Sequence, residues 1–261
     1  MSEPTTTTRT ALITGAGRGI GRAISLALAA AGYRVALSAR SRAELEGTSC
    51  ELEERGGQSL LLNHDLADPL SAGRIVGTVL DRWGSIDVLV NNAGIGSSHL
   101  PRPIVDFDDN FWDLTFAVNV KAPYLLTKHI LPDMLAKGWG RIINIASINA
   151  TIPAIHASAY VASKHALAGL TKATAKEVAG TGVTCNAICP GVTATQMNDL
   201  RLAYDSERLG KSIDELEEQA SPLGRRLQPD EIAPLAIFLA SDGGAAVNGQ
   251  LINVCGGTVI V

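Results

Sequence analysis

With 261 residues, 46% of them apolar and 18% charged, the chain can bury a substantial core and is too apolar to be intrinsically disordered. Twenty-two Lys and Arg against 26 Asp and Glu leave a net charge of −4 and no basic stripe to neutralise phosphates, which excludes nucleic acid as the main partner. No window reaches the roughly 18 uninterrupted apolar residues of a membrane span, and residues 1–9 form a polar, Thr-rich tail without the apolar core of a secretory signal, so no membrane role and a cytoplasmic location are expected.

The remainder, residues 10–261, alternates short β-rich runs with longer helical ones. Thr10 to Thr14 reads as a strand, followed by a glycine-rich turn and an Ala-rich helix from Arg18 to Ala31. Arg34 to Ser38 is a second strand and Arg42 to Arg55 a charged amphipathic helix ending at Gly56-Gly57. Ser59 to Asn63, Leu70 to Trp83 and Asp87 to Val90 continue as strand, helix, strand. Phe107 to Lys137 is largely helical, Arg141 to Ile145 a fifth strand, Tyr160 to Val178 a helix, Val183 to Ile188 a sixth strand and Leu251 to Val254 a seventh.

Runs such as Val88-Leu89-Val90 are apolar throughout rather than alternating, which indicates burial on both faces and hence a parallel sheet covered by helices. Repeated strand-helix units predict one doubly wound α/β domain of the Rossmann type, with about seven parallel strands. The polar, helical stretch from Asp199 to Gln219 interrupts that pattern before a helix over Gln228 to Ala240. Placed after a strand's carboxyl end, it is expected to centre a substrate lid spanning about 196–222.

Cys50, Cys185, Cys189 and Cys255 are scattered, with no CxxC pair or histidine at ligand spacing, so reduced thiols and no metal site are expected. His64, His99, His129 and His165 likewise show no ligand spacing.

The first strand runs into Thr14-Gly15-Ala16-Gly17-Arg18-Gly19-Ile20-Gly21. Glycines there let backbone N–H groups and a helix N-terminus approach a pyrophosphate. The spacing is neither G-x-G-x-x-G, because position 20 is Ile, nor a P-loop, because no Gly-Lys-Ser/Thr follows. Farther on, Tyr160 and Lys164 stand four residues apart and so on one helix face, where an ammonium beside a phenol would favour the phenolate.

The pattern Thr-Gly-x-x-x-Gly-x-Gly resembles the cofactor loop of the compact short-chain dehydrogenases and reductases, and the likeness runs from about Thr10 to Gly257. Asp65-Leu66 resembles the pair whose acidic member meets adenine. Asn91-Asn92-Ala93-Gly94 resembles the segment that steadies the sheet on the adenosine side. Pro190-Gly191-Val192-Thr193 is similar to the segment holding the nicotinamide carboxamide. The resemblance also covers a catalytic tetrad of Asn119, Ser147, Tyr160 and Lys164. It implies Tyr160 as the proton donor or acceptor, Lys164 on the nicotinamide ribose, Ser147 on the substrate oxygen, and Asn119 holding a water toward Lys164. Asn149, Gln196 and Met197 fall where relatives line the substrate cleft, and His156, four residues before Tyr160, is read either as lining the substrate pocket or as a loop histidine with no mechanistic duty.

NAD-binding sites of this kind tend to end the second strand on a carboxylate that bonds the ribose 2′-OH. Here Ala39 stands at that position, Arg40 follows it, and Arg18 adds a second cation, which suits a 2′-phosphate and favours NADP(H) over NAD(H).

The resemblance therefore implies an oxidoreductase passing hydride between NADP(H) and a small carbonyl or alcohol substrate, with polyketide and 3-oxoacyl ketoreductases and 3-hydroxybutyrate dehydrogenases as the nearest types. Relatives commonly form homotetramers through the helices equivalent to residues 107–137 and 160–178. The alternatives are an NAD-dependent secondary alcohol, 3-hydroxy acid or sugar dehydrogenase, and a non-catalytic nucleotide-binding regulator. The intact tetrad weighs against the second. The extended epimerase branch usually carries a longer substrate domain than 261 residues allow.

Overall fold

The structure, a computed structural model, describes residues 8–260. Strands β1 (Thr10–Thr14), β2 (Arg34–Ala39), β3 (Ser59–Asn63), β4 (Val88–Asn91), β5 (Gly140–Ile145), β6 (Val183–Pro190) and β7 (Leu251–Val254) form one sheet in the order β3-β2-β1-β4-β5-β6-β7. Every pairing in it is parallel. Most of the tail expected over residues 1–9 lies outside the described residues.

The continuous apolar strands reflect two buried faces. Ala11 and Ile13 of β1, with Val88 and Val90 of β4, enter one core layer together with α1 (Gly19–Ala30), α2 (Arg42–Glu54) and α9 (Ala233–Ala240). Leu12 and Leu89 point to the other layer, built with α3 (Ser71–Trp83), α5 (Ala122–Lys137) and the end of α6 (Ser158–Glu177). Side chains alternate sides along a strand, and here both sides are dry.

Two expected helices are broken by proline. The stretch from Phe107 to Lys137 divides into α4 (Asp109–Phe116), a π-helical turn (Ala117–Lys121) and α5. Pro123 has no N–H to give the carbonyl of Asn119 four residues back, so the chain widens there into a π turn. Likewise, residues 228–240 form a 3-10 turn (Pro229–Glu231) and then α9, because Pro234 cannot bond the carbonyl of Asp230. The stretch around 199–219 folds as α7 (Gln196–Leu209), capped by the Thr195 hydroxyl, and α8 (Ile213–Glu218), held by a Ser212/Glu215 capping box.

A buried polar chain ties the sheet to α6. Asn91 Nδ2 donates to Asn144 Oδ1 at 2.9 Å, and Asn144 Nδ2 donates to Thr171 Oγ1 at 2.8 Å. The bond joins the carboxyl ends of β4 and β5 and fixes the helix that carries Tyr160 and Lys164. Removing the middle member orphans the buried Asn91 amide, at about 1–3 kcal/mol, and takes from Thr171 Oγ1 the donor it accepts from, while its own bond to the Leu167 carbonyl stays. Asn144→Ala is therefore expected to lower stability by about 2–4 kcal/mol in denaturant titration, or roughly 5–12 °C in Tm for a domain this large.

Candidate active site

Parallel strands on either side of the β1–β4 boundary end on a common crevice, since their crossovers leave in opposite directions. The crevice is a cleft of about 1190 Å3, lined at one end by Gly15, Gly17, Arg18, Gly19, Ile20, Arg40, Asp65 and Leu66. Its middle and far end are lined by Asn92, Ala93, Gly94, Ser147, Tyr160, Lys164 and Pro190 through Thr193, with Asn149, Gln196 and Met197 beyond.

The glycine loop needs its glycines. Gly15 and Gly19 have φ of 64° and 55°, the left-handed region that side chains disfavour. At Gly21 a Cβ would lie 2.2 Å from the Gly15 carbonyl oxygen and 2.4 Å from Asn92 Nδ2. Asn92 earns that closeness: its Nδ2 donates to the carbonyls of Thr14 at 2.8 Å and Gly15 at 3.1 Å. The Thr14 hydroxyl in return accepts from the backbone N–H groups of Asn92 and Ala93, both at 3.0 Å. The loop is thus clamped from the end of β4, with the N-terminus of α1 opening into the cleft.

At the chemical end, Ser147 follows β5, and its Oγ accepts from the Asn149 N–H at 3.1 Å. Tyr160 and Lys164 project from the first turns of α6, with Lys164 Nζ 5.6 Å from the phenol ring centroid. Nζ is buried and donates to the Ile145 carbonyl at 2.8 Å. Asn119 sits in the π turn. Its Oδ1 accepts from Ile95 N–H at 2.8 Å, and its Nδ2 donates to the Ile95 carbonyl and to Ser163 Oγ, both at 3.0 Å. Both amide hydrogens are therefore used in joining the loop after β4 to α6. A Cβ on Gly94 would lie 3.4 Å from Asn119 Oδ1 and 3.7 Å from Lys164 Nζ, so its absence keeps the space between them open.

The electrostatics differ from the expectation that the ammonium lowers the phenol's pKa. Burial pushes the Tyr160 phenol above its ordinary value, while its hydrogen bond with Ser147 pulls the other way. Burial also pulls the Lys164 ammonium down to about 8. A cation so close to losing its own proton, and turned toward a backbone carbonyl, gives the phenolate little help in the chain by itself.

Among the site residues read from the sequence, Gly21 and Asn119 are packed behind the cleft lining, and His156 stands outside it altogether. Its φ of 52° is the one positive value at a non-glycine among the described residues, and its Nδ1 is hydrogen-bonded to the Tyr204 hydroxyl of α7 at 2.5 Å. Arg201, one turn earlier on α7, donates to the Ile155 carbonyl at 3.1 Å and pairs with Asp205. His156 thus belongs to the contact between α7 and the 152–157 loop.

Several contributors escaped the sequence reading. Ser163 stood in plain sight between Tyr160 and Lys164, whereas nothing local marks the Ile145 carbonyl or Glu44, whose carboxylate pairs with Arg18 at 2.9 Å. Cys189 is buried beside Lys164 and accepts a hydrogen bond from the backbone of Ser147, with its thiol pushed up by burial.

The sequence profile of short chain dehydrogenases matches residues 9–204. The chain belongs to the short-chain dehydrogenase family. It is 37% identical over 258 residues to a D-beta-hydroxybutyrate dehydrogenase of Cupriavidus necator, covering 96% of this chain and 98% of that one. It is 37% identical over 254 residues to a 3-oxoacyl-acyl-carrier-protein reductase of Staphylococcus aureus, covering 96% and 98%. Among solved structures, actinorhodin polyketide ketoreductase with NADPH superimposes with a TM-score of 0.89 at 37% identity, covering 96% of this chain and 97% of that one. As a member of this family the chain is an oxidoreductase of the CH–OH/C=O type. No helix among the described residues is long and apolar enough to cross a membrane, and no metal-ligating cluster occurs among them.

The Lys164 environment is testable by titration. In the folded protein without nucleotide, the Lys164 Nζ signal is expected to titrate near 8 by NMR, against 10.5 for an ordinary lysine. Between those two values the unfolded chain holds a proton that the folded one has lost, so this group makes stability rise with pH from about 8 to 10.5. Lys164→Met should lack that rise. A midpoint above 10, or an unchanged pH–stability curve in the variant, contradicts the burial.

Proposed function

We propose that the protein is an NADP(H)-dependent ketoreductase for 3-oxoacyl or polyketide-like substrates. The observation that carries this reading is one continuous cleft, with the clamped glycine loop at one end and Ser147, Tyr160 and Lys164 together at the other. The cofactor end suits a 2′-phosphorylated dinucleotide: Arg18 and Arg40 give the rim two cations, and the buried Ser38 hydroxyl lining it has no partner among the described residues. The names of the two ketoreductase relatives, one of them holding NADPH, point the same way.

When bound, the dinucleotide supplies or accepts the hydride. Gly15 through Gly21, with Asn92, Ala93 and Gly94, would present bare backbone and the α1 N-terminus to its phosphates. Asp65 and Leu66 would border the adenine, and Pro190 through Thr193 the carboxamide. Ser147 Oγ, held in place by the Asn149 N–H, would donate to the substrate oxygen as negative charge grows there. Tyr160 would deliver the proton to that oxygen in reduction; its raised pKa keeps it protonated and able to do so. Lys164, anchored on Ile145, would bind ribose hydroxyls. Asn119 would act chiefly by holding Ile95 and Ser163 in register, and the gap at Gly94 leaves room for a proton route toward Lys164.

Asn149, Gln196 and Met197 would contact the substrate, and residues 196–222 would form its lid within a single domain over 10–261. A homotetramer in the cytoplasm is part of the proposal. Exposed Leu114, Tyr124 and Leu135 on α4 and α5 support the assembly, and free Cys50, Cys185, Cys189 and Cys255 suit a reducing compartment.

A second reading, oxidation of a 3-hydroxy acid with NAD, draws on the D-beta-hydroxybutyrate dehydrogenase relative. Tyr160→Phe is expected to cut turnover of a 3-oxoacyl thioester by at least about a thousandfold, since removing the acid leaves only positioning. NADP+ affinity by fluorescence titration should stay within about twofold. Near-normal turnover in the variant would remove Tyr160 from the chemistry.

A further inference from the structure

Arg18 is not free at the cofactor rim. Its Nη1 donates to Glu44 Oε1 at 2.9 Å, and both side chains line the same end of the cleft as Ser38, Ala39 and Arg40. Arg40, by contrast, makes no ion pair among the described residues. A carboxylate therefore stands at this rim after all. It comes not from the end of β2 but from the first turn of α2.

Its position is built in. A Cβ on Gly17 would lie 2.7 Å from Glu44 Cβ, so the backbone of the glycine loop packs directly on this side chain. One turn on, Thr48 Oγ1 is 3.3 Å from the Ala16 carbonyl and 3.2 Å from that of Gly17, and 3.1 Å from that of Glu44 itself, binding α2 to the loop. The Ser41 hydroxyl caps the helix by accepting from Glu44 N–H at 3.3 Å. The backbone and Cβ of Glu44 are thus fixed beside the loop by the start of α2. Arg18 can turn away, because its side chain is 56% exposed and Glu44's 35%, and a pair this wet is held weakly.

We propose that Glu44 is the residue that limits discrimination between NADP(H) and NAD(H). This rests on the cofactor end assigned above and names a determinant within it. A 2′-phosphate must compete with Glu44 for the Arg18 guanidinium, whereas a 2′-hydroxyl leaves the Arg18–Glu44 pair in place. Arg40 then carries most of the preference for the phosphate, with Arg18 contributing only what it gains over its pair with Glu44, and the chain keeps measurable affinity for both dinucleotides.

Calorimetric titration of the intact protein with NADP+, NAD+ and adenosine 2′,5′-bisphosphate tests the idea without any turnover. Glu44→Gln keeps the side chain's size and the backbone cap but releases Arg18. It is expected to tighten NADP+ and the bisphosphate by about three- to tenfold, the scale of freeing one charge-assisted contact, and to move NAD+ by less than about twofold. In an Arg18→Ala background the same substitution should lose most of that gain. An NADP+/NAD+ ratio that stays within about twofold of wild type, or falls, overturns the proposal. A gain that survives in full without Arg18 overturns it too, by assigning the effect to direct repulsion of the phosphate. Wild-type protein that binds neither dinucleotide overturns the cofactor site itself, a result distinct from an unmoved ratio.

Discussion

The site depends on the seam between β1 and β4. These neighbours in the sheet are far apart in sequence, and their crossovers depart in opposite directions, so nothing fills the space above their carboxyl ends. Thr14 and Asn92, one at each strand end, hold the seam together by exchanging side-chain bonds with each other's backbone. The glycine loop hangs from that clamp. From the loop follow the direction of α1, the packing of α2 against Gly17, and the position of Arg18 at the rim.

A second anchor works at the other end of the cleft. The Asn91–Asn144–Thr171 chain and the Asn119–Ile95 and Asn119–Ser163 bonds are buried amide contacts, and each joins α6 or the β4 loop to a neighbouring element. Buried amides pay for their desolvation only when every partner is in place, which makes such bonds poor glue but good rulers. They set α6 so that Tyr160 and Lys164 reach the cleft floor beside Ser147. The same burial that fixes the geometry lifts the phenol's pKa and lowers the ammonium's, so the resting phenol keeps its proton.

Much of this was legible from one dimension. Strand positions followed from unbroken apolar runs, and β1, β3 and β7 end where the residues suggested. Helix ends were less legible where proline intervened. The loss of a single N–H at Pro123 turned one expected helix into three segments and put Asn119 in a π turn. Local spacing placed Tyr160 and Lys164 on one helix face, but it could not say that Nζ would turn to Ile145 or that His156 would meet Tyr204 instead of the cleft.

What the sequence determined by itself was everything that depends on residue type at short range: alternating elements, a glycine-rich strand-to-helix turn, the four polar residues of the chemical end, and the lack of an acidic residue closing β2. The tertiary structure alone decided which distant groups share space. The Arg18–Glu44 pair spans 26 positions, the Asn92–Thr14 clamp 78, and the Asn119–Ser163 bond 44. No period or propensity encodes such meetings. They arise only when whole elements pack, and packing also sets the burial that decides whether a neighbouring charge or the loss of water governs a proton.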